Sequence, residues 1–136
     1  MSFVGTHTEP GRIDPLRILI VEDEFLIAAE CEWILADAGH EVVGIAADEQ
    51  QAISLAERAR PDLILMDIRL ARGGDGIKAA KSIRARCGIR SLFVSAHGER
   101  ETRDRGKAAD PAGWLVKPYT AGMLLDAIDA AADHHS

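Results

Sequence analysis

Five side chains at the ends of four apolar runs could do chemistry together. Glu22 and Asp23 follow the run RILIV, Asp67 closes LILM, Ser95 closes LFV, and Lys117 follows WLV. Asp67 lies 44 residues beyond Asp23, Ser95 lies 28 beyond Asp67, and Lys117 lies 22 beyond Ser95. Three carboxylates drawn within about 5 Å of one another repel by roughly 3 kcal/mol per pair at an effective dielectric near 20. A fold tolerates that when a divalent cation or a fixed ammonium neutralises the cluster. One or two carboxylates, with waters completing an octahedron, describe a Mg²⁺ site. A lysine ammonium and a hydroxyl donor opposite it prepare a place for the charge of an incoming phosphoryl group. The carboxylate facing that cradle, Asp67, can itself be the nucleophile and form an aspartyl phosphate. Taken alone, Asp67 reads as the first residue of a turn. It is the coincidence of all five positions that points to chemistry.

For these residues to meet, the apolar runs must be neighbouring strands. Leu63-Ile64-Leu65-Met66 is short and unbroken, the mark of a strand covered on both faces. In an open α/β sheet, ligand chemistry gathers outside the carboxyl ends of such strands. Strands are expected over 17–21, 42–47, 63–67, 90–95 and 114–116. A helix over 24–38 would bury Ile27, Cys31, Ile34, Leu35 and Ala38, with Gly39 as its stop. Trp33 lies off that face and reads as a partly exposed packing residue. Asp48 can cap a helix through Arg60, with Ile53, Ala56 and either Ala52 or Leu55 inward. Residues 68–75 read as a glycine-containing loop, and Asp75 as the cap of a helix through Arg86. A weaker helix over 99–109 carries alternating charges and Gly106, which costs about 1 kcal/mol relative to Ala. A last helix over 120–132 turns Leu124, Leu125 and Ile128 inward. Five strands alternating with five helices imply an α/β fold, a five-stranded parallel sheet flanked by helices in a flavodoxin-like, doubly wound arrangement. Strand order 2-1-3-4-5 fits, because it places strands one and three beside a switch point.

Composition sets the outer bounds. At 136 residues the chain is expected to be one domain, with 47% hydrophobic and 28% charged residues in the ordinary globular range. A net charge of −6 argues against nucleic acid as a partner, since phosphate binding needs a basic face. The apolar runs fall far short of the roughly 20 residues of a membrane helix. No cationic start followed by an apolar stretch marks a signal peptide. Cys31 and Cys87 make neither a disulfide framework nor a metal pattern, so both are expected to be reduced in a cytoplasmic protein. Residues 1–15 read as a flexible leader, 16–133 as the domain with no output domain after it, and His134-His135 as a solvated tail.

The matching motifs are Val21-Glu22-Asp23-Glu24, Leu65-Met66-Asp67-Ile68-Arg69-Leu70, Asp75-Gly76, Val94-Ser95-Ala96 and Gly113-Trp114-Leu115-Val116-Lys117-Pro118-Tyr119. In these, over about residues 16–132, the chain resembles the receiver domains of two-component response regulators, here of the stand-alone, chemotaxis type. The resemblance implies that Asp67 accepts a phosphoryl group from a phosphohistidine on a sensor histidine kinase or histidine phosphotransfer protein. It implies that Asp23 binds Mg²⁺ directly and Glu22 through water, with Asp67 and the backbone carbonyl of Arg69 completing the protein ligands. Lys117 would pair with one phosphoryl oxygen, and Ser95 would bond another as the switch hydroxyl. The Lys117-Pro118 bond would be cis. A downstream protein would dock on the face of helix four, strand five and helix five, with no nucleic acid or membrane involved.

Three positions depart from the common pattern. Trp114 stands where the family usually has Tyr or Phe as a rotating aromatic. Arg69 and His97, each two residues beyond a site residue, are expected to flank the attack path and tune the acyl-phosphate lifetime. Asp110-Pro111 replaces a flexible turn before strand five. Hydrolases with an aspartyl nucleophile use a D-x-D core, but Arg69 occupies the second position, so a turnover enzyme is not expected. The competing reading is a receiver-like interaction module that works without phosphorylation. The presence of Asp23, Asp67, Ser95 and Lys117 together weighs against it.

Overall fold

The computed structural model describes residues 15–96 and 100–132. Strand β1 (Arg17–Val21) lies between β2 (Glu41–Ala46) and β3 (Leu63–Asp67), and β4 (Ser91–Ser95) and β5 (Gly113–Val116) follow outward. Every pairing in this sheet is parallel, giving the order 2-1-3-4-5. Strands β3 and β4 are buried at every position. That is why their sequences show no polar alternation: helices cover both faces.

Successive strand residues point to opposite sides of the sheet, and two cores result. On one side Ile18, Ile20, Leu65 and Val94 pack with Ala28, Cys31 and Leu35 of α1 (Phe25–Asp37) and with Leu124 and Ile128 of α5 (Ala121–Ala132). On the other, Leu19, Ile64, Met66 and Phe93 pack with Ala52 and Ala56 of α2 (Glu49–Ala59) and with Ile77, Ala80 and Ile83 of α3 (Gly76–Cys87). Among the described residues, no helix is long and apolar enough to cross a membrane. Both cysteines are free thiols, Cys31 buried and Cys87 partly so.

Caps set the helix boundaries. The Asp48 carboxylate accepts from the Gln51 N–H at 2.8 Å, and the Asp75 carboxylate from the Ile77 N–H at 2.9 Å, the two N-caps expected from the residue types. Helix α2 ends on Arg60 in the left-handed region, φ 49°, a conformation more usual for glycine. Arg60 therefore caps the helix and does not extend it.

Further details differ from the sequence reading. Ala28, not Ala38, fills the inward face of α1; Ala38 is the C-cap and only half-buried. The segment after β3 is not plain loop: Arg69–Leu70 and Gly74–Asp75 form a two-residue antiparallel ladder around a 3₁₀ turn. A ladder that short leaves no periodic trace in sequence. The fourth helix is shorter than 99–109, with α4 spanning Arg100–Gly106 and a 3₁₀ turn at Lys107–Ala109. Trp33 is well exposed, and with Phe25 and Leu26 it gives α1 an apolar outer side as well. The expected leader over 1–15, save Pro15, lies outside the described residues, as do His97 and the His134-His135 tail.

Candidate functional site at the carboxyl edge of the sheet

The parallel register brings the carboxyl ends of β1, β3, β4 and β5 to one edge, with Val21 beside Met66, Asp67 beside Val94 and Ser95 beside Val116. The chain leaves β1 through Glu22, whose N–H donates to the Ala46 carbonyl at 2.9 Å. Glu22 is 6% exposed, and its carboxylate accepts from the Glu24 N–H at 3.1 Å. Asp23, next along, points to solvent. Asp67 closes β3 and is likewise 6% exposed. One oxygen from each of Glu22, Asp23 and Asp67 lies within 4.8 Å of the others.

The ammonium of Lys117 sits between two of these carboxylates, 3.3 Å from Asp67 Oδ2 and 3.6 Å from Glu22 Oε1. Its backbone is fixed by a 2.7 Å bond from the Lys117 N–H to the Ser95 carbonyl, and the Lys117-Pro118 peptide is cis. Ser95, buried at the end of β4, lines the same cleft of about 300 Å³, together with Asp23, Asp67, Arg69, Thr102 and Lys117. Thr102 comes from α4 and was not legible as a site residue, because its helix is short and charged. The Arg69 N–H donates to Asp67 Oδ1 at 3.3 Å.

Burial pushes the Glu22 carboxyl up to about 7, with the neighbouring Asp67 charge adding to the rise and the Glu24 N–H and Lys117 opposing it. For Lys117, burial alone would lower the pKa, but the carboxylates of Asp67 and Glu22 outweigh it and the net shift is upward. The donor set therefore carries more negative charge than one ammonium balances. Clustered hard oxygens, partly buried and partly open to a cleft, suit a small divalent cation. All the residues singled out as ligands and phosphoryl contacts are brought together: Glu22, Asp23, Asp67, the Arg69 segment, Ser95 and Lys117.

A glycine makes the close approach possible. A Cβ on Gly76 would lie 2.0 Å from the Asp67 carbonyl oxygen, and the Gly76 N–H donates to the Ile68 carbonyl at 2.7 Å. The start of α3 is thus pressed directly on the backbone that carries Asp67.

Trp114 is placed differently from the acidic residues. Its ring lies 4.9 Å from that of Phe93 at an interplanar angle of 36°, with the Arg103 guanidinium 5.4 Å from the ring centroid. A Cβ on Gly106 would meet the indole edge at 2.7 Å. Gly106 is therefore the slot that admits the indole, not merely a weak point in the helix. Behind the site, Cys31 Sγ and Tyr119 Oη lie 3.0 Å apart, and burial pushes the pKa of both upward. This pair spans 88 residues of sequence, and nothing in the residue pattern pointed to it. The turn before β5 is held by Asp110, in the left-handed region at φ 52°, whose carboxylate accepts from Arg84 at 2.9 Å and Arg90 at 3.0 Å.

A parallel five-stranded sheet with an acidic, lysine-bridged carboxyl edge defines a class of signalling domain, and sequence comparison agrees. Residues 18–129 match the family model described as the response regulator receiver domain. The chain belongs to the receiver domain family of response regulators. It is 37% identical over 127 residues to the transcriptional regulatory protein PdtaR of Mycobacterium tuberculosis, covering 93% of this chain and 62% of that protein. It is 38% identical over 116 residues to the phyllosphere-induced regulator PhyR of Methylorubrum extorquens, covering 85% of this chain and 43% of that protein. The chain thus spans about half the length of these relatives. Among solved structures, the signal receiver domain of a modulated diguanylate cyclase from Desulfovibrio desulfuricans G20 superposes with a TM-score of 0.81 at 34% identity, covering 90% of this chain and 97% of that one.

Proposed function

We propose that this chain is a phospho-accepting receiver in a two-component phosphorelay, with Asp67 as the acceptor. The observation that carries the reading is the placement of Lys117 Nζ within 3.6 Å of both Glu22 and Asp67, with Asp23 alongside. An Asp67 carboxylate oxygen forms the new P–O bond as the P–N bond of a phosphohistidine breaks. The electron pair returns to the imidazole nitrogen, which takes up a proton. Lys117 and Ser95 meet the charge on the transferred phosphoryl oxygens. Glu22, Asp23, Asp67 and the Arg69 carbonyl are the groups that would hold Mg²⁺, which supplies positive charge where the phosphoryl oxygens gather. The donor is a sensor histidine kinase or a histidine phosphotransfer protein.

Phosphorylation then shifts an existing equilibrium of the α4–β5–α5 face, on which a downstream protein docks. Arg69, exposed at the cleft, flanks the attack path and sets the acyl-phosphate lifetime. With Arg69 in place of a second aspartate, the chain transfers and loses its own phosphoryl group and turns over no other substrate.

The test is labelling by acetyl phosphate, read by intact mass. The expected result is one added phosphoryl group that needs Mg²⁺ and is missing from Asp67→Asn. A folded, Mg²⁺-bound wild type that stays unlabelled by acetyl phosphate and by a phosphorylated donor would leave a phosphorylation-independent interaction module.

A further inference from the structure

Asp75 does more than cap α3. Its Oδ1 accepts from the Ile77 N–H at 2.9 Å and the Lys78 N–H at 3.4 Å. Its own N–H donates to Glu49 Oε2, on the first turn of α2, at 2.8 Å. Its Oδ2 is in close ion-pair contact with the Arg105 guanidinium of α4. Through the ladder it is paired with Arg69. The next residue, Gly76, is bonded to the Ile68 carbonyl and has its Cα against the Asp67 carbonyl. One residue is therefore tied to three helices and, through main chain alone, to the 67–69 segment.

We infer that Arg105 is a positioning residue for the site: by holding Asp75 from α4, it fixes the 67–69 backbone that carries the acceptor carboxylate and the Arg69 carbonyl. The metal arm of this inference rests on the reading of that carbonyl as a Mg²⁺ ligand. The mechanical path is short. A displacement of Asp75 toward or away from α4 moves its ladder partner Arg69, and the missing Cβ at Gly76 leaves no compliant layer between α3 and Asp67. Because coupling between two sites is reciprocal, whatever displaces α4 loosens cation binding, and a bound cation stiffens α4. The pair is half-exposed, at 53% for Arg105 and 32% for Asp75, so its effect is modest and screened by salt.

The experiment uses the full chain as wild type, Arg105→Gln, Arg105→Lys, Asp75→Asn and the Arg105→Gln/Asp75→Asn double variant. Asparagine retains the capping oxygen, so Asp75→Asn removes the ion pair while keeping the helix start. Calorimetric titration with Mg²⁺ alone should show about two- to fivefold weaker binding in Arg105→Gln at low salt, on the scale of an exposed pair. Arg105→Lys should restore most of it, and the double variant should be no weaker than Asp75→Asn. Amide exchange without metal should quicken over 68–76 in Arg105→Gln and stay unchanged in β1 and α1. Wild-type affinity and exchange in Arg105→Gln, or additive losses in the double variant, overturn the inference. If the wild type shows no Mg²⁺ binding, the reading of the site fails, and the exchange measurement still decides whether Arg105 holds the loop.

Discussion

The acidic edge and the α4–β5 face lie a few residues apart and are built on opposite principles. Glu22, Asp67 and Ser95 stand at the ends of strands that are buried at every position except Arg17, and the three residues are 6–7% exposed. Main-chain bonds fix the edge: Glu22 to Ala46, Lys117 to Ser95 and Gly76 to Ile68. Helix α4 has only seven residues. Among the described residues its ties include an exposed ion pair to Asp75, another from Asp104 to Lys107, a cation–π contact from Arg103, and an indole seated against a glycine. The acidic cluster sits where displacement is expensive. The face proposed to signal sits where displacement is cheap.

That contrast can be broken in a graded series. The largest effect is expected at Gly76→Ala, because its Cβ meets immovable backbone at Asp67. Chemical denaturation should show a loss above about 3 kcal/mol, together with weaker Mg²⁺ binding. Next is Gly106→Ala, where the clash is with an indole that can tilt. Overpacking of about 1–3 kcal/mol, offset by up to about 1 kcal/mol of helix propensity, leaves a smaller net loss. Trp114→Leu should relieve it, whereas no neighbouring substitution should rescue Gly76→Ala.

A pH series sharpens the same comparison at the acidic edge. The Glu22 carboxyl rises from 4.5 unfolded to about 7 folded, so between these values the folded chain holds a proton that the unfolded chain has released. Metal-free stability therefore falls as pH rises from about 4.5 to about 7, and Glu22→Gln should flatten that slope in urea titrations. Mg²⁺ must displace the same proton, so its affinity should drop as pH falls below about 7, less steeply in the variant. The smallest effect belongs to Asp110→Asn. It loses charge toward Arg84 and Arg90 on an exposed turn and should show only faster exchange of the 110–112 amides.

The acidic edge was almost wholly legible in the sequence and the α4 face was not, for the same physical reason. Unbroken apolar runs such as LILM, closed by turn residues and alternating with helical segments, read as doubly covered strands. In a parallel sheet, a carboxylate or lysine that follows such a strand falls at one edge. Asp48 and Asp75 announced their helices by side-chain chemistry. Around α4 the determinants are pairs distant in sequence: Gly106 with Trp114, Arg105 with Asp75, Asp110 with Arg84. Their partners are chosen by tertiary packing, so Gly106 read as a defect when it is a fitted space. The ladder over Arg69–Leu70 and Gly74–Asp75 escaped because two residues per strand show no alternation, and Arg60 escaped because its left-handed turn is imposed by its surroundings.

The two tryptophans give the molecule optical handles on separate surfaces. Trp33 stands 68% exposed on α1, so its emission should be that of a hydrated indole open to dissolved quenchers. Trp114 is half-covered, with a guanidinium over its face and a neighbouring phenyl ring, so it should emit at shorter wavelength and be better shielded. Replacing Trp33 by Phe leaves one indole, selectively excitable beside Tyr119, whose emission and quenching should follow the Gly106 slot. The proposed phosphorylation, cation binding and partner docking can then be sought in the unlabelled protein, each as a change in the light from a single indole.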